Sequence, residues 1–163
     1  MKVGIIGSGG REHSICVSLI KAPNIDKIYC FPGNAGTSSI ADNVSLNLEN
    51  FNELKNFIVS NKIDLVIVGP EKPLVDGIVD FLEKHNIKVF GPNKTASQLE
   101  GSKIFTKKLC KKYKIPTAKF GVFESTKDSK EFINKTKYPI VIKADGLASG
   151  KGVYICAAKN DAE

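Results

Sequence analysis

The apolar run DLVIVG, residues 64–69, constrains the fold of this chain more than any other segment. Four aliphatic side chains follow one another between an aspartate and a glycine. Successive side chains of a β-strand point to opposite faces, so a run without polar positions predicts a strand that is buried on both sides. Such strands are typical of parallel sheets that carry helices on both faces.

The segments around this strand repeat one unit, in which a short apolar run alternates with an amphipathic helical pattern. Short connections between such units predict a doubly wound α/β domain with a parallel sheet, over residues 1–101. The predicted order is strand 2–6, helix 11–22, strand 27–31, helix 50–62 with Asn50 as its N-cap, strand 64–69, helix 73–85 and strand 88–90.

The pattern changes after residue 101, which predicts the start of a second domain over residues 102–163. A basic helix is expected first, and Pro116 prevents its continuation. The last two strands flank a glycine-rich loop and are predicted to pair as an antiparallel hairpin. The predicted elements are helix 102–114, strand 119–123, helix 128–136, strand 139–143 and strand 152–156.

Composition excludes several classes of protein. The chain is 42% hydrophobic and 25% charged, as in globular proteins. No apolar run approaches the roughly 18 residues of a membrane-spanning helix, so no membrane partner is expected. The net charge is +7, but the basic residues are dispersed along the sequence, which argues against nucleic-acid binding. The four cysteines form no CxxC pair, which favours reduced thiols in the cytoplasm over zinc or disulfides.

The turn GSGGREH, residues 7–13, leads from the first strand into the first helix, where backbone N–H groups can bind an anion. It is not a dinucleotide fingerprint, because Glu12 stands where the third glycine of GxGxxG would be. Arg11 is the only arginine in the chain, and a guanidinium can hold a phosphate through two hydrogen bonds. His13 is interpreted as a polar first-turn residue, with catalytic base as its alternative. A tight turn without a ligand is the alternative for the whole segment.

Two more turns follow strand ends, PGNAGT (32–37) and GPEKP (69–73). The turns after parallel strands line one edge of the sheet, where ligands bind in open α/β folds. We therefore expect one pocket, with amide and hydroxyl groups from Asn34, Gly36 and Thr37. Glu71 offers a carboxylate for an amine or a sugar hydroxyl.

The loop KADGLASGKGV, residues 143–153, is not a Walker A loop. Counted from Gly146 it is one residue short, and Gly152 stands where a magnesium-binding hydroxyl is required. A glycine-rich hairpin can still fold over triphosphate oxygens through its backbone N–H groups. Lys143 ends an otherwise apolar strand, so it is either an ammonium directed into a site or a solvated strand end.

These stretches together resemble the N-terminal part of the glycinamide ribonucleotide synthetase (phosphoribosylamine–glycine ligase) family of the ATP-grasp superfamily. The resemblance covers essentially all 163 residues and implies a Rossmann-like N-terminal domain followed by an incomplete ATP-grasp domain. The matching stretches, in the family's order, are GSGGREHS, PGNAGT, DLVIVGPEKPLVDGIVD, FGP, QLEGSKIFTK, IPTA and IVIKADGLASGKGV.

The resemblance implies an ATP-dependent ligase of purine biosynthesis that joins glycine to 5-phosphoribosylamine through glycyl phosphate. It also implies that Gly146–Gly152 forms a mobile lid over the triphosphate. No side chain is expected to act as a nucleophile. The residues implied for phosphoribosylamine are Gly9, Gly10, Arg11, Asn34, Ala35, Gly36, Thr37, Pro70 and Glu71. Those implied for ATP are Lys103, Lys143, Asp145, Gly146, Gly150, Lys151 and Gly152.

By this resemblance, the residues that bind Mg²⁺ or Mn²⁺ and the C-terminal part of the same enzyme lie beyond position 163. The chain is therefore expected to be a fragment without ligase activity that lacks a metal site. Two alternatives remain: another ATP-grasp carboxylate–amine ligase, and a stand-alone module that binds a phosphosugar or a nucleotide.

Overall fold

The structure, a computed structural model, describes residues 1–148 and 150–163. It divides into two units, Met1–Ser97 and Gln98–Glu163. No helix in the described part of the chain has both the length and the apolar character to cross a membrane.

The first unit contains a parallel sheet of five strands in the order β3-β2-β1-β4-β5. This is the predicted doubly wound sheet, and the fold class is confirmed. Its elements, followed by the helix in which the second unit begins, are β1 (Lys2–Gly7), α1 (Gly10–Leu19), β2 (Lys27–Pro32), β3 (Asp42–Asn43), α2 (Phe51–Asn61), β4 (Leu65–Val68), α3 (Glu71–Asp76), α4 (Ile78–Lys84), β5 (Val89–Phe90) and α5 (Lys94–Gly101).

Alternate side chains of the central strands enter two separate cores. Ile6 of β1 lies in a cluster with residues of α2 and α4, such as Leu54 and Leu82. Val3 and Ile5 lie in the other cluster, which α1 covers. Because strand side chains alternate between faces, helices cover both sides of the sheet, as the run at 64–69 predicts.

The described residues of the second unit contain the end of α5, two complete α-helices, an antiparallel hairpin and a short 3-10 helix at Lys159–Asp161. The hairpin is the predicted one, with Ile140 opposite Cys156 and Lys143 opposite Val153. The elements are α6 (Lys103–Lys112), α7 (Thr126–Lys135), β6 (Ile140–Lys143) and β7 (Val153–Cys156).

Two predicted elements are wrong. The single helix over 73–85 is two helices, α3 and α4, because Gly77 adopts a left-handed conformation with φ +99° and ends α3. Residues 119–123 lie in the described part of the chain and form neither helix nor strand. Phe123 packs instead on Phe132 of α7, with ring centroids 5.0 Å apart. The N-cap role of Asn50 is confirmed, since its side chain accepts a hydrogen bond from the Glu53 N–H at 3.4 Å.

Candidate functional site

Three turns meet at the carboxyl edge of the first unit's sheet, because β1 pairs in parallel with both β2 and β4. We call residues 7–10 the first turn, 33–37 the second turn and 69–71 the third turn. The Gly33 N–H donates to the Gly7 carbonyl at 3.2 Å, and the Gly69 N–H donates to the Ile6 carbonyl at 3.0 Å. Backbone hydrogen bonds thus hold the three turns side by side, as the sequence predicts for strand ends of one sheet.

Glu12 lies beneath the first turn and is 3% exposed. Its Oε2 accepts a hydrogen bond from the Gly9 N–H at 2.7 Å, which satisfies a donor before the first turn of α1. A Cβ atom added at Gly69 would lie 2.0 Å from Glu12 Oε1. Glycine at position 69 therefore leaves the space that the buried carboxylate occupies.

Arg11 joins the first turn to the third. Its Nε donates to Glu12 Oε1 at 3.0 Å, and its Nη1 donates to Glu71 Oε1 at 3.4 Å. Its Nη2 donates to the Gly69 carbonyl. The hydrogen bond to Glu12 is the main cause that raises the pKa of Arg11. The guanidinium therefore lies at the predicted edge, held between two carboxylates.

The second turn is bound to the first through Asn34, whose Nδ2 donates to the Ser8 carbonyl at 2.8 Å. Asn34 Oδ1 accepts the N–H groups of Gly36 and Thr37 at 2.7 and 3.0 Å. The Thr37 hydroxyl is buried and accepts the Asn34 N–H at 2.7 Å. These groups stabilise the turn itself, whereas Ala35 is exposed. Their contact with a substrate stays a prediction.

A cavity of about 420 Å³ opens beside the first turn and the start of α3. Gly9 and Pro70, two of the predicted substrate residues, line it. The charged side chains of Glu49, Lys72 and Asp76 line it as well, with Lys72 Nζ 2.7 Å from Asp76 Oδ2. Sequence reasoning missed these three residues; only the i,i+4 spacing of Lys72 and Asp76 next to a predicted turn offered a signal.

In the second unit, Asp145 lies at the amino end of α6. Its Oδ1 accepts the Ile104 N–H at 3.1 Å, and its Oδ2 accepts the Ser102 hydroxyl at 3.0 Å. Burial raises the pKa of Asp145, but these donors outweigh burial and the pKa lies below its ordinary value. Lys103 Nζ donates to the Gly146 carbonyl at 2.8 Å. Lys103, Asp145 and Gly146 are thus together, and their role toward ATP stays a prediction.

The glycine-rich loop closes the hairpin of β6 and β7. The Ala144 N–H donates to the Gly152 carbonyl at 2.9 Å, and the side chains of Lys143 and Lys151 are exposed. Gly146, Gly150 and Gly152 all have positive φ angles. Ser149, within the predicted lid, lies outside the described residues.

A divalent cation would need a set of side-chain ligands. Among residues 1–148 and 150–163, no group of three or more histidine, cysteine, aspartate or glutamate side chains is arranged to hold a metal ion. These residues therefore offer no such cluster for the Mg²⁺ or Mn²⁺ whose ligands the sequence resemblance places beyond position 163.

Comparison with known families decides what this arrangement belongs to. Residues 1–100 match the family described as phosphoribosylglycinamide synthetase, N domain. The chain belongs to the phosphoribosylglycinamide synthetase family. Residues 101–163 match the ATP-grasp (A) domain of the same synthetase. The resemblance inferred from the matching sequence stretches is thereby confirmed.

Individual relatives agree with this assignment. Phosphoribosylamine–glycine ligase of Caldanaerobacter subterraneus subsp. tengcongensis is 51% identical over 155 residues, which cover 95% of this chain and 37% of the relative. The crystal structure of phosphoribosylamine–glycine ligase from Thermotoga maritima has a TM-score of 0.78 and 36% identity, covering 99% of this chain and 37% of that one. A more distant structure, the biotin carboxylase domain of Hydrogenobacter thermophilus 2-oxoglutarate carboxylase in complex with MgADP, shares the fold. Its TM-score is 0.75 and its identity 20%, over 98% of this chain and 38% of that one.

Phosphoribosylglycinamide synthetase relatives are thus much longer than this chain, which spans 37% of the length of the two ligases above. Within the part present, the glycine turns and Arg11 predicted from sequence which groups meet at this edge, and their contact with a substrate stays a prediction. Glu12 was noticed only as the residue that breaks the dinucleotide fingerprint. Its position in place of a glycine was the available signal that the turn serves a different arrangement.

Proposed function

We propose that this chain contributes the phosphoribosylamine half-site and part of the ATP phosphate site of a phosphoribosylamine–glycine ligase. The observation that carries the proposal is the Arg11 guanidinium at the meeting point of three turns on the carboxyl edge of the sheet. Membership of the phosphoribosylglycinamide synthetase family supports it.

The reaction we propose has two steps. A glycine carboxylate oxygen attacks the γ-phosphorus of ATP, which gives glycyl phosphate and releases ADP. The amine of 5-phosphoribosylamine then attacks the activated carbonyl carbon, phosphate leaves, and the amide of glycinamide ribonucleotide forms. Such chemistry needs positioned substrates and stabilised charge more than a protein nucleophile.

The first unit would bind 5-phosphoribosylamine. Gly9 and Gly10 at the amino end of α1 and the guanidinium of Arg11 supply positive potential for the phosphate. Glu71 would accept a hydrogen bond from the amine or a ribose hydroxyl. The second turn would contact the substrate through Asn34, Ala35, Gly36 and Thr37 from the β2 side of the first turn. Pro70, on the β4 side, lines the cavity.

The second unit would contact the ATP phosphates. Lys103, Lys143 and Lys151 would supply ammonium groups, and Gly146, Gly150 and Gly152 would supply backbone donors on the loop. Asp145 holds the base of that loop against α6. The biotin carboxylase domain with the same fold was solved in complex with MgADP, which supports a nucleotide site in a protein of this fold.

The divalent cation, when bound, would neutralise phosphate charge, and the described residues offer no site for it. We therefore propose that the 163 residues alone do not form glycinamide ribonucleotide and that the remaining part of the enzyme is the partner they require. The four free thiols support a location in the cytoplasm.

The test has two arms. In the first, calorimetry measures binding of ribose 5-phosphate to the chain, with ribose as the uncharged control and Arg11→Lys as the matched variant. We expect Arg11→Lys to weaken ribose 5-phosphate binding by about tenfold and to leave ribose unaffected, because lysine cannot hold phosphate through two parallel bonds. Equal affinity of ribose and ribose 5-phosphate would refute a phosphate site.

In the second arm, glycinamide ribonucleotide formation is measured with the chain alone and with the chain fused to the remaining segment of the Caldanaerobacter ligase. We expect product only from the fusion. A panel of other amine acceptors separates this ligase from other ATP-grasp ligases, since preference for a different amine would refute the substrate assignment. Product from the chain alone would refute the proposed incompleteness.

A further inference from the structure

Glu12 is a buried carboxylate to which the proposed reaction assigns no role. Its side chain is 4% exposed, yet both oxygens accept hydrogen bonds. Oε2 accepts the Gly9 N–H at 2.7 Å and Oε1 accepts Arg11 Nε at 3.0 Å. A buried charge is stable only while it is paired, so separating Glu12 from Arg11 would leave an uncompensated carboxylate.

The second carboxylate on the same guanidinium is held differently. Glu71 Oε1 lies 3.4 Å from Arg11 Nη1, and the side chains of Arg11 and Glu71 are 56% and 49% exposed. Ion pairs exposed to this degree contribute little and exchange readily with other anions. Of its two carboxylate partners, Arg11 therefore has one that is buried and one that solvent or a ligand can replace.

We propose that Glu12 is a positioning residue that holds Arg11 by its Nε, and that Glu71 is the exchangeable partner that a substrate phosphate replaces. The proposal rests on the proposed function and names how that same site accepts an anion. With Nε bound to Glu12 and Nη2 to the Gly69 carbonyl, the guanidinium plane is fixed. Once Glu71 withdraws, both Nη groups can reach a phosphate together.

This exchange gives Glu71 two successive roles. Without substrate it neutralises Arg11 at the edge of the site. When phosphate takes its place, the freed carboxylate becomes available to the amine or a hydroxyl of the same substrate. Binding of the phosphate and release of Glu71 are then a single event.

For Glu12→Gln, a charge effect alone predicts a change in phosphate affinity opposite to the one that our proposal predicts. Removal of a negative charge near an anion site strengthens anion binding, so a charge effect alone would tighten phosphate binding in both Glu12→Gln and Glu71→Gln. Glu12→Gln, however, leaves one acceptor oxygen for two donors and turns an amide NH₂ toward the other donor. If Glu12 positions Arg11, this variant weakens phosphate binding despite its more favourable charge.

The solitary arginine allows a direct spectroscopic test. Because Arg11 is the only arginine, the ¹⁵N spectrum contains a single arginine Nε–H signal. Without any ligand, we expect slow hydrogen exchange of that Nε–H in the native chain and in Glu71→Gln. In Glu12→Gln we expect the signal to shift and its exchange to accelerate by tenfold or more, because the buried acceptor is lost.

The same signals then follow a titration with inorganic phosphate, which has no amine or sugar hydroxyl to engage Glu71. We expect about tenfold weaker phosphate binding in Glu12→Gln. In Glu71→Gln we expect tighter binding, by up to about fivefold, because the competing carboxylate is gone. Thermal unfolding of both variants is measured beside the titration to confirm that they are folded.

Several results would overturn the proposal. If Glu12→Gln binds phosphate as tightly as Glu71→Gln does, or keeps the native Arg11 signal, Glu12 does not position Arg11. If Glu71→Gln loses phosphate affinity, Glu71 is not displaced by the anion. Should Glu12→Gln fail to fold, the exchange rate of Nε–H in the native chain decides alone, since fast exchange contradicts the buried bond.

Failure of ribose 5-phosphate to bind would refute the proposed function, while the ligand-free Arg11 signal still tests the role of Glu12.

Discussion

Substitution of Gly69 by alanine isolates the steric demand of the buried Glu12 carboxylate. The added Cβ would lie 2.0 Å from Glu12 Oε1 and 2.6 Å from its Cδ. Glu12 has little room to move aside, because the backbones of Gly7 and Gly9 lie close to it, so close that a Cβ atom at either position would be 2.6 or 2.9 Å from its side chain. Overpacking of this kind destabilises a fold by about 1–3 kcal/mol. Loss of the Arg11–Glu12 bond adds to it, so we expect the free energy of unfolding of the first unit to fall by about 2–4 kcal/mol.

Gly10→Ala is the matched control. Neither Gly69 nor Gly10 has a positive φ angle in the described part of the chain, so alanine meets no backbone penalty at either position. Gly10 is the first residue of α1, and apart from its chain neighbours and the backbone of its own helix no heavy atom of the described residues lies within 4 Å of a Cβ placed there. We expect Gly10→Ala to be neutral or to stabilise by up to about 1 kcal/mol.

The assay is urea unfolding followed by circular dichroism, because the sequence contains no tryptophan for fluorescence. The three proteins are compared at pH 7 with the slope of the unfolding curve examined for each. A Gly69→Ala variant within 0.5 kcal/mol of the native chain, on the order of a surface substitution, would refute the packing argument. Equal destabilisation by Gly10→Ala would show that the effect belongs to glycine turns in general.

Three further predictions concern other parts of the chain. Asp145→Ala should destabilise the second unit by about 1 kcal/mol at pH 7, as loss of a helix cap does. Because the folded-state pKa of Asp145 is lowered, this difference exists above the ordinary carboxyl pKa and should vanish as pH falls through the folded-state value; a difference that persists in acid contradicts it. Leu82→Ala should destabilise by about 2–5 kcal/mol in urea unfolding, whereas Val59→Ala, at a side chain 61% exposed, should stay within about 0.5 kcal/mol. Burial raises the pKa of Cys30 to about 12, so at pH 8 a thiol reagent should label Cys110 in the native chain and Cys30 only after unfolding, as mass spectrometry of peptides would show.

The elements that the sequence predicted well are those in which the pattern is local and continuous. The run at 64–69 became β4 with alternate side chains in two cores, because a strand without polar positions has no solvent-facing side. The helix after Asn50 began where its cap predicted, because the cap and its donor are three residues apart. The hairpin of β6 and β7 followed from two apolar runs around one glycine-rich loop.

The elements that it missed depend on neighbours or on one dihedral angle. Residues 119–123 are apolar enough for a strand, yet in the described part of the chain they form none, and Phe123 packs on Phe132. Apolar content is compatible with both outcomes, and the available partner decides. The apolar periodicity over residues 73–85 predicted one helix, but Gly77 adopts a left-handed conformation that ends α3. Hydrophobic periodicity carries no information on that dihedral angle.

The sequence by itself determined the α/β fold class, the three turns at one sheet edge and the presence of a single guanidinium there. These follow from local periodicity and from the rule that parallel strand ends share an edge. Only the tertiary structure decided what holds that guanidinium. Glu12 is adjacent to Arg11 in sequence, but Gly69 and Glu71 lie 58 and 60 positions away. Whether a carboxylate is a permanent or an exchangeable partner depends on burial and distance in space, which residue order along the chain does not contain.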